Sequence, residues 1–560
     1  MRGIRPRMSR LLGPAFVAVC GLLVLFIVVD LFVPPWRSEL PLAELEVPPS
    51  SRSLPAIPAE PGAAAGRSVL LVTLDTVRPD RLGYHGNSNV DTPALARLAR
   101  EGVIFSQAVA TAPSTLPSHA SILTGLYPQR HGARANGSSR LGDGVETLAT
   151  RLSQQGYDTA AFVSAFVLDE QFGLSRGFAA YDDDVKQSGA EFGYPERRAD
   201  LTADRAIRWL ERSRSTPFFL WVHFFDPHAL YQPPAEFARY PLAYDGELAF
   251  TDSQLARLVG AARTAAAGEL LIAVTADHGE AFGDQGEQTH SILLQESTLR
   301  IPLILHAPGA IAGGVVVPTR VSQIDIMPTL LSLLGEPIPP ELDGVDLTLA
   351  PDPGRVLMAA SVEGQLSFGW APLSALYQGG WKLVEGPNPE LYDLASDPLA
   401  REDQSARRPE DVARLQAALR ALRPAASAPV AQTHALSRED AQRLDALGYA
   451  RSTSLGEAPR DRGLDPVRRM PLLAHVDSLA ALTGEEIHLA TRLSALREGI
   501  WLPADGEDGI EMIEEIAEEH PDFAPTELYL ADLYRSRGRE AEASAAEQRF
   551  RALVRGDALE

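Results

Sequence analysis

Three apolar runs, Val69-Leu70-Leu71-Val72-Thr73-Leu74, Phe218-Phe219-Leu220-Trp221-Val222 and Leu270-Leu271-Ile272-Ala273-Val274, each give way to ionisable residues. A run apolar at consecutive positions has no polar face, as a strand covered on both sides requires. Helical patterns lie at Pro93 to Arg100, 145–154 and 201–213, and Pro302 to Leu305 reads as a further strand. The alternation predicts an α/β chain with a large, mostly parallel sheet sandwiched by helices. In such sheets ligands sit beyond the carboxyl ends of the strands. Asp75, then His223, Asp226 and His228, then Asp277 and His278 fall at that edge. Acids and imidazoles delivered there by three separate strands predict a metal site.

Composition narrows the functions available. The 560 residues carry 51 Lys and Arg against 74 Asp and Glu, a formal charge of −23. A nucleic-acid partner would require a basic face, and no basic block stands in the body of the chain, so none is expected. The single cysteine, Cys20, rules out an internal disulfide and a cysteine metal cluster. Only two lysines occur, Lys186 and Lys382.

The segment from Thr111 to Gly125 offers a nucleophile. Small hydroxyl residues and prolines precede a short helical stretch, and Thr115 falls near its start. Backbone N–H groups and a partial charge of about +0.5 favour an anion there. A free threonine hydroxyl is a poor nucleophile, and an adjacent divalent cation would lower its pKa. The competing reading of this segment alone is a helix cap. Asp75, Asp277 and His278 favour the nucleophile, because they supply the cation it needs.

Several segments together resemble the sulfatase family of the alkaline phosphatase superfamily. They are Val69 to Asp80, Thr115 to Gly125 followed by Leu126-Tyr127-Pro128 and His131-Gly132, Asp277-His278-Gly279-Glu280, and Glu390-Leu391-Tyr392-Asp393 with Asp397-Pro398. The resemblance spans roughly residues 67 to 450. It implies an alkaline phosphatase-like sandwich with a small C-terminal α+β subdomain and hydrolysis of sulfate or phosphate esters. It further implies that Asp75, Thr115, Asp277 and His278 bind a divalent metal (Zn, Mn, Ca or Mg), with Thr115 attacking in line. His228 and His290 match positions that contact the anionic group or protonate the leaving group.

Departures from the family pattern matter. Sulfatases carry Cys or Ser, oxidised to formylglycine, in a C/S-x-P-x-R motif; here the positions read Thr115-Leu116-Pro117-Ser118-His119. Threonine cannot become formylglycine by that route, so none is expected. The frequent second acid is Thr76, and the positions of a lysine and a histidine are Ser164 and Phe166. A lysine-lined sulfate pocket therefore cannot be built from the family's motif positions. Relatives with a threonine nucleophile include pyrophosphatase-type phosphodiesterases and phosphoryl-headgroup transferases. In the former a second metal is bound, for which Asp226, His228 and His290 are the candidates; a metal-free pocket histidine is the equal alternative for His290. His119 is read as orienting Thr115 or contacting substrate, with a structural hydrogen bond as the alternative. Arg78 and Asp80 read as loop-anchoring charges. His85 and His131 are minor candidates, and His306 reads as a strand histidine satisfied internally.

The two ends are separate modules. Leu11 to Val33 is a nearly continuous apolar run of 23 residues, preceded by Arg2, Arg5, Arg7 and Arg10. About 20 such residues span a bilayer, and the flanking charges place the N-terminus inside and the rest outside. A membrane-anchored protein with a periplasmic or extracellular body is expected. A cleaved signal peptide is the rival, but Pro34-Pro35-Trp36 offers no cleavage site. Residues 34–67, rich in Pro and Ala, read as an extended tether. The catalytic domain is placed at 68–350 and the subdomain with its helices at 351–450. An all-helical tail at 464–560 resembles a tetratricopeptide pair, Gly506 and Gly538 being 32 residues apart. That tail is a docking surface for a protein partner or a cap on the catalytic domain. The expected substrate is a sulfated or phosphorylated small molecule, glycan or lipid. A headgroup transferase and an inactive scaffold are the competing functions.

Overall fold

The computed structural model describes residues 52–185, 196–212, 216–229, 231–267, 269–368, 370–422 and 539–555, with a few single positions between 466 and 534. A nine-stranded sheet organises the main domain. Its order is Arg52–Ser53, Val315–Val317, Val103–Phe105, Leu303–His306, Leu270–Ala276, Ser68–Leu74, Phe218–Phe224, Asp158–Phe162 and Ala180–Asp182. The three apolar runs of the sequence are its centre. Ser68–Leu74 lies between the other two, parallel to both, with Leu74 level with Phe224 and with Ala276. All three are buried at every position.

The sheet is mostly parallel, as expected. Leu303–His306 departs from this by running antiparallel to both of its neighbours. Helices flank the sheet, including Pro93–Glu101, Leu148–Gln154, Ala199–Leu210, Ala243–Ala265 and Ile326–Leu334. A four-stranded antiparallel sheet, Leu357–Ser361, Leu373–Gln378, Trp381–Glu385 and Glu390–Asp393, forms the small subdomain with the helix Pro409–Leu422.

The tether reading is corrected where the structure describes it. Arg52–Ser53 adds a parallel strand beside Val315–Val317. Ile57 and Ala64 are buried, and their N–H groups donate to Leu347 and Leu333 carbonyls at 2.9 and 2.7 Å. The apolar side chains spaced through this Pro-rich stretch give it enough burial to pack rather than extend. The apolar run 11–33, the rest of the tether and the segment 437–449 lie outside the described residues, as does most of the tail apart from the helix Glu540–Arg555. Among the described residues no helix is long and apolar enough to cross a membrane.

Candidate metal centre and nucleophile

Strand pairing alone brings the acids together. With Leu74 beside Ala276, the next residues are Asp75 and Asp277, and the Asp277 N–H donates to the Leu74 carbonyl at 3.2 Å. Both carboxylates are fully buried. Oδ1 of Asp277 accepts from the N–H groups of His278 (2.7 Å) and Thr76 (3.3 Å). Thr76 adopts a left-handed backbone with φ +56° and turns its hydroxyl to the Pro227 carbonyl. The position of the family's second acid is thus spent on the loop. Asp277 Oδ2 and both oxygens of Asp75 have no hydrogen-bond partner among the described residues.

His278 shows what those oxygens face. Its Nδ1 lies 3.0 Å from the Gly279 carbonyl, so Nδ1 carries the hydrogen and Nε2 the lone pair. Nε2 is 3.6 Å from Asp75 Oδ1, 3.5 Å from Asp277 Oδ2 and 3.5 Å from the Thr115 hydroxyl. Two carboxylates and an imidazole lone pair turned towards one another repel unless a cation stands between them. Burial pushes the Asp75 carboxyl up to about 7 and Asp277 well above its usual range, while it drives His278 well down. Each shift follows first from burial, which disfavours the charged form of all three groups. Gly279 is required here, since a Cβ would meet the Ser297 carbonyl at 2.0 Å.

Thr115 is the first residue of the helix Thr115–Thr124, not its cap: Ser114 holds that position and makes no side-chain cap bond. His119, one turn on, sends Nδ1 to the Thr115 carbonyl and Nε2 to Thr73 Oγ1, both at 2.8 Å. Trp221 Nε1 donates to the same Thr73 hydroxyl at 3.0 Å. His119 therefore ties the helix that Thr115 opens to the central strands, with its Nδ1 3.6 Å from Asp277 Oδ2. His223 stands behind Asp75 at 3.3 Å, and Ser164 donates its N–H to the other ring nitrogen.

The histidines of the longer loops gather on one side. The His290 ring centroid lies 4.4 Å from that of His278 and 5.0 Å from that of His228. His228 stacks on Phe225 at 4.2 Å. Burial pulls the His290 imidazole down, but Glu280, 3.1 Å away, outweighs it and holds the ring above its ordinary value. Asp226 has one oxygen engaged elsewhere. Its Oδ2 accepts the Ala199 N–H at 2.7 Å at the start of Ala199–Leu210. Among the described residues, the triads with ligand atoms within 4.8 Å of one another are Asp75/Asp277/His278 and His119/His223/Asp277. Asp226, His228 and His290 form neither of these triads, and one oxygen of Asp226 serves a helix amide.

Arg78 and Asp80 pair through two bonds of 2.9 and 2.8 Å, as loop anchors should. His131 bonds Ser121 and accepts the Ala133 N–H, and His306 lies buried in its strand. Three neighbours escaped the sequence reading. Glu280 and Tyr231 are linked at 2.8 Å. Asn136 accepts the Leu116 N–H at 2.8 Å, and its Nδ2 has no partner among the described residues. Glu280 was visible in the Asp277-His278-Gly279-Glu280 motif; nothing local marks the other two.

The chain is similar to known proteins over its main domain. The sulfatase family profile matches residues 67–336. A protein of Escherichia coli (strain K12) named uncharacterized sulfatase YidJ is 23% identical over 406 residues, covering 59% of this chain and 81% of its own length. Among solved structures, Ps i-CgsB in complex with k-i-k-neocarrahexaose aligns with a TM-score of 0.56 at 18% identity, over 68% of this chain and 97% of that one. The phosphonate monoester hydrolase of Agrobacterium radiobacter aligns with a TM-score of 0.52 at 23% identity, over 64% and 95%. These two structures share the fold.

Proposed function

We propose that this chain, whose residues 67–336 match the sulfatase family, is a metal-dependent hydrolase that uses Thr115 to cleave a sulfate ester or a related phosphorus ester. The family match and the relatives named sulfatases support a sulfuric ester hydrolase. The observation that carries the reading is the convergence of Asp75, Asp277, the His278 lone pair and the Thr115 hydroxyl on one point.

Asp75, Asp277, His278 and Thr115 would hold the metal. Two carboxylates, an imidazole and a hydroxyl suit Zn²⁺ or Mn²⁺, whereas Ca²⁺ usually collects six to eight oxygens. Bound there, a divalent ion lowers the pKa of the threonine hydroxyl and neutralises ester oxygens. Thr115, once its proton has passed to water, directs Oγ at sulfur or phosphorus. The bond to the leaving oxygen breaks as the Oγ bond forms. His290, with His228 beside it, supplies a proton to that oxygen. Water then releases the acid from Thr115. Threonine takes the place that formylglycine holds in family members, so no modified residue is involved.

The substrate class is a sulfated small molecule or glycan, the sulfate supported by the relatives named sulfatases and the glycan by the neocarrahexaose complex of Ps i-CgsB; a phosphonate or phosphate ester is supported by the hydrolase from Agrobacterium. The apolar run at 11–33 and its arginines support a membrane-anchored enzyme with its body outside the cytoplasm.

The test is turnover of 4-nitrophenyl sulfate and 4-nitrophenyl methyl phosphate by the full chain with added Zn²⁺, Mn²⁺ or Ca²⁺. Metal-dependent release from either ester, lost in Thr115→Ala, is expected. No release from either, or release untouched by Thr115→Ala, would overturn the proposal.

A further inference from the structure

Glu280 is fully buried and lies outside the metal-ligand set, yet both of its oxygens are engaged. Oε1 is 3.1 Å from His290 Nδ1, and Oε2 accepts the Tyr231 hydroxyl at 2.8 Å. The backbone is fixed as well. Gly279 before it packs against the Ser297 carbonyl, and Arg78, itself held by Asp80, donates to the Glu280 carbonyl at 2.9 Å. The Tyr231 ring is set edge-on against Tyr244 at 5.5 Å, and Tyr244 donates to the Thr76 carbonyl beside Asp75. The loop that carries Tyr231 and the loop 277–290 are thereby joined through a single carboxylate.

A carboxylate beside one ring nitrogen sets which way an imidazole points and keeps a hydrogen on that nitrogen. We propose that Glu280 and Tyr231 are positioning residues that aim His290 at the leaving oxygen of the ester. The proposal rests on the hydrolase reading above. Nδ1–H stays on Glu280. As the bond from sulfur or phosphorus to the ester oxygen breaks, that oxygen takes the bonding pair and the proton of Nε2, and the alcohol departs. His290 is left neutral. When water attacks the Thr115 ester, Nε2 takes a proton from it, the bond to Oγ breaks, and the ring regains its starting state.

A positioned proton donor matters most for an alcohol that leaves poorly without one, and contributes about 10²–10⁴-fold there. The test compares 4-nitrophenyl sulfate with octyl sulfate, and 4-nitrophenyl methyl phosphate with octyl methyl phosphate. Glu280→Gln should lower kcat on the octyl ester by about 10²-fold or more and on the nitrophenyl ester by less than about fivefold. Tyr231→Phe, which keeps the ring packing, should show the same asymmetry at about tenfold. In a His290→Ala background, Glu280→Gln should add no further asymmetry. Equal losses on both leaving groups, or a further asymmetric loss without His290, would overturn the proposal while leaving the hydrolase reading intact. A wild type inactive on all four esters would sink both.

Discussion

His223 Nε2 stands 3.3 Å from Oδ2 of Asp75 in a fully buried layer behind the candidate metal centre. The Ser164 N–H donates to His223 Nδ1 at 3.3 Å, so Nε2 carries the hydrogen and faces the carboxylate as a charge partner that does not meet hydrogen-bond geometry. Outer partners of this kind fix the direction of a ligand, and losing one weakens metal binding by about 10–100-fold. His223→Leu should weaken Zn²⁺ or Mn²⁺ binding by that factor in a competition titration with a chromophoric chelator. His223→Gln, which restores an N–H, should recover most of it. An unchanged affinity in the leucine variant would show that Asp75 needs no such support.

Thr115 separates chemistry from folding. Its hydroxyl is 3.5 Å from His278 Nε2, and its position at the start of the helix is held by backbone and by His119, not by its own side chain. Thr115→Ser keeps the oxygen and should keep turnover within about tenfold. Thr115→Ala should lose at least about 10³-fold in kcat/KM at unchanged thermal stability, as when a nucleophile is deleted from a preformed site. Equal activity in the two variants would remove threonine from the reaction.

The sequence made the candidate metal set legible because each of its residues follows an apolar run, and parallel strands of similar burial end together. That logic put Asp75, Asp277 and His278 at one edge, where the structure brings their ligand atoms together. Asp226 follows such a run too, and one of its oxygens serves the Ala199 amide; a carboxylate after a strand carries no local sign of which donors will claim it. The direction of Leu303–His306 was equally hidden, since hydrophobic patterning encodes burial and not polarity of the chain. Ile57 and Ala64 were masked by the prolines around them. Tyr231 lies 49 residues from Glu280, so their bond exists only in the folded chain.

Lys382 lies in a buried ion pair between the small sheet and the main domain. It is buried in the strand Trp381–Glu385 of the small sheet, and its Nζ donates to Glu296 Oε1 of the main domain at 2.9 Å, beside the Tyr377 hydroxyl at 2.8 Å. Burial opposes ionisation of Glu296, but Lys382 and Arg320 outweigh it and hold the carboxyl below its usual range. Removing one member of a buried pair strands the other, at about 3–5 kcal/mol. Lys382→Met should therefore lower the melting temperature sharply. Adding Glu296→Gln, which keeps an acceptor for Tyr377, should restore at least half. A double variant as unstable as the single would mean that packing, not the stranded charge, sets the loss.

Asp252 gives the fold a pH dependence remote from the metal centre. It projects from Ala243–Ala265 to the start of Pro93–Glu101, where its oxygens accept the Ala94 and Leu95 N–H groups at 2.9 and 2.8 Å. Burial raises its carboxyl from 3.8 to about 6, against the pull of those two amides. The folded chain thus holds this proton more tightly than the unfolded one. Its contribution to stability is fully present below about pH 4 and falls as pH rises towards and through 6, by about 3 kcal/mol in all. Asp252→Asn cannot titrate and keeps one acceptor. The unfolding free energy of the wild type minus that of Asp252→Asn should fall by about this amount between pH 4 and pH 7, most of it before pH 6.5. A difference that rises with pH would show that the two amides dominate and that the ionised carboxylate is the form the fold prefers.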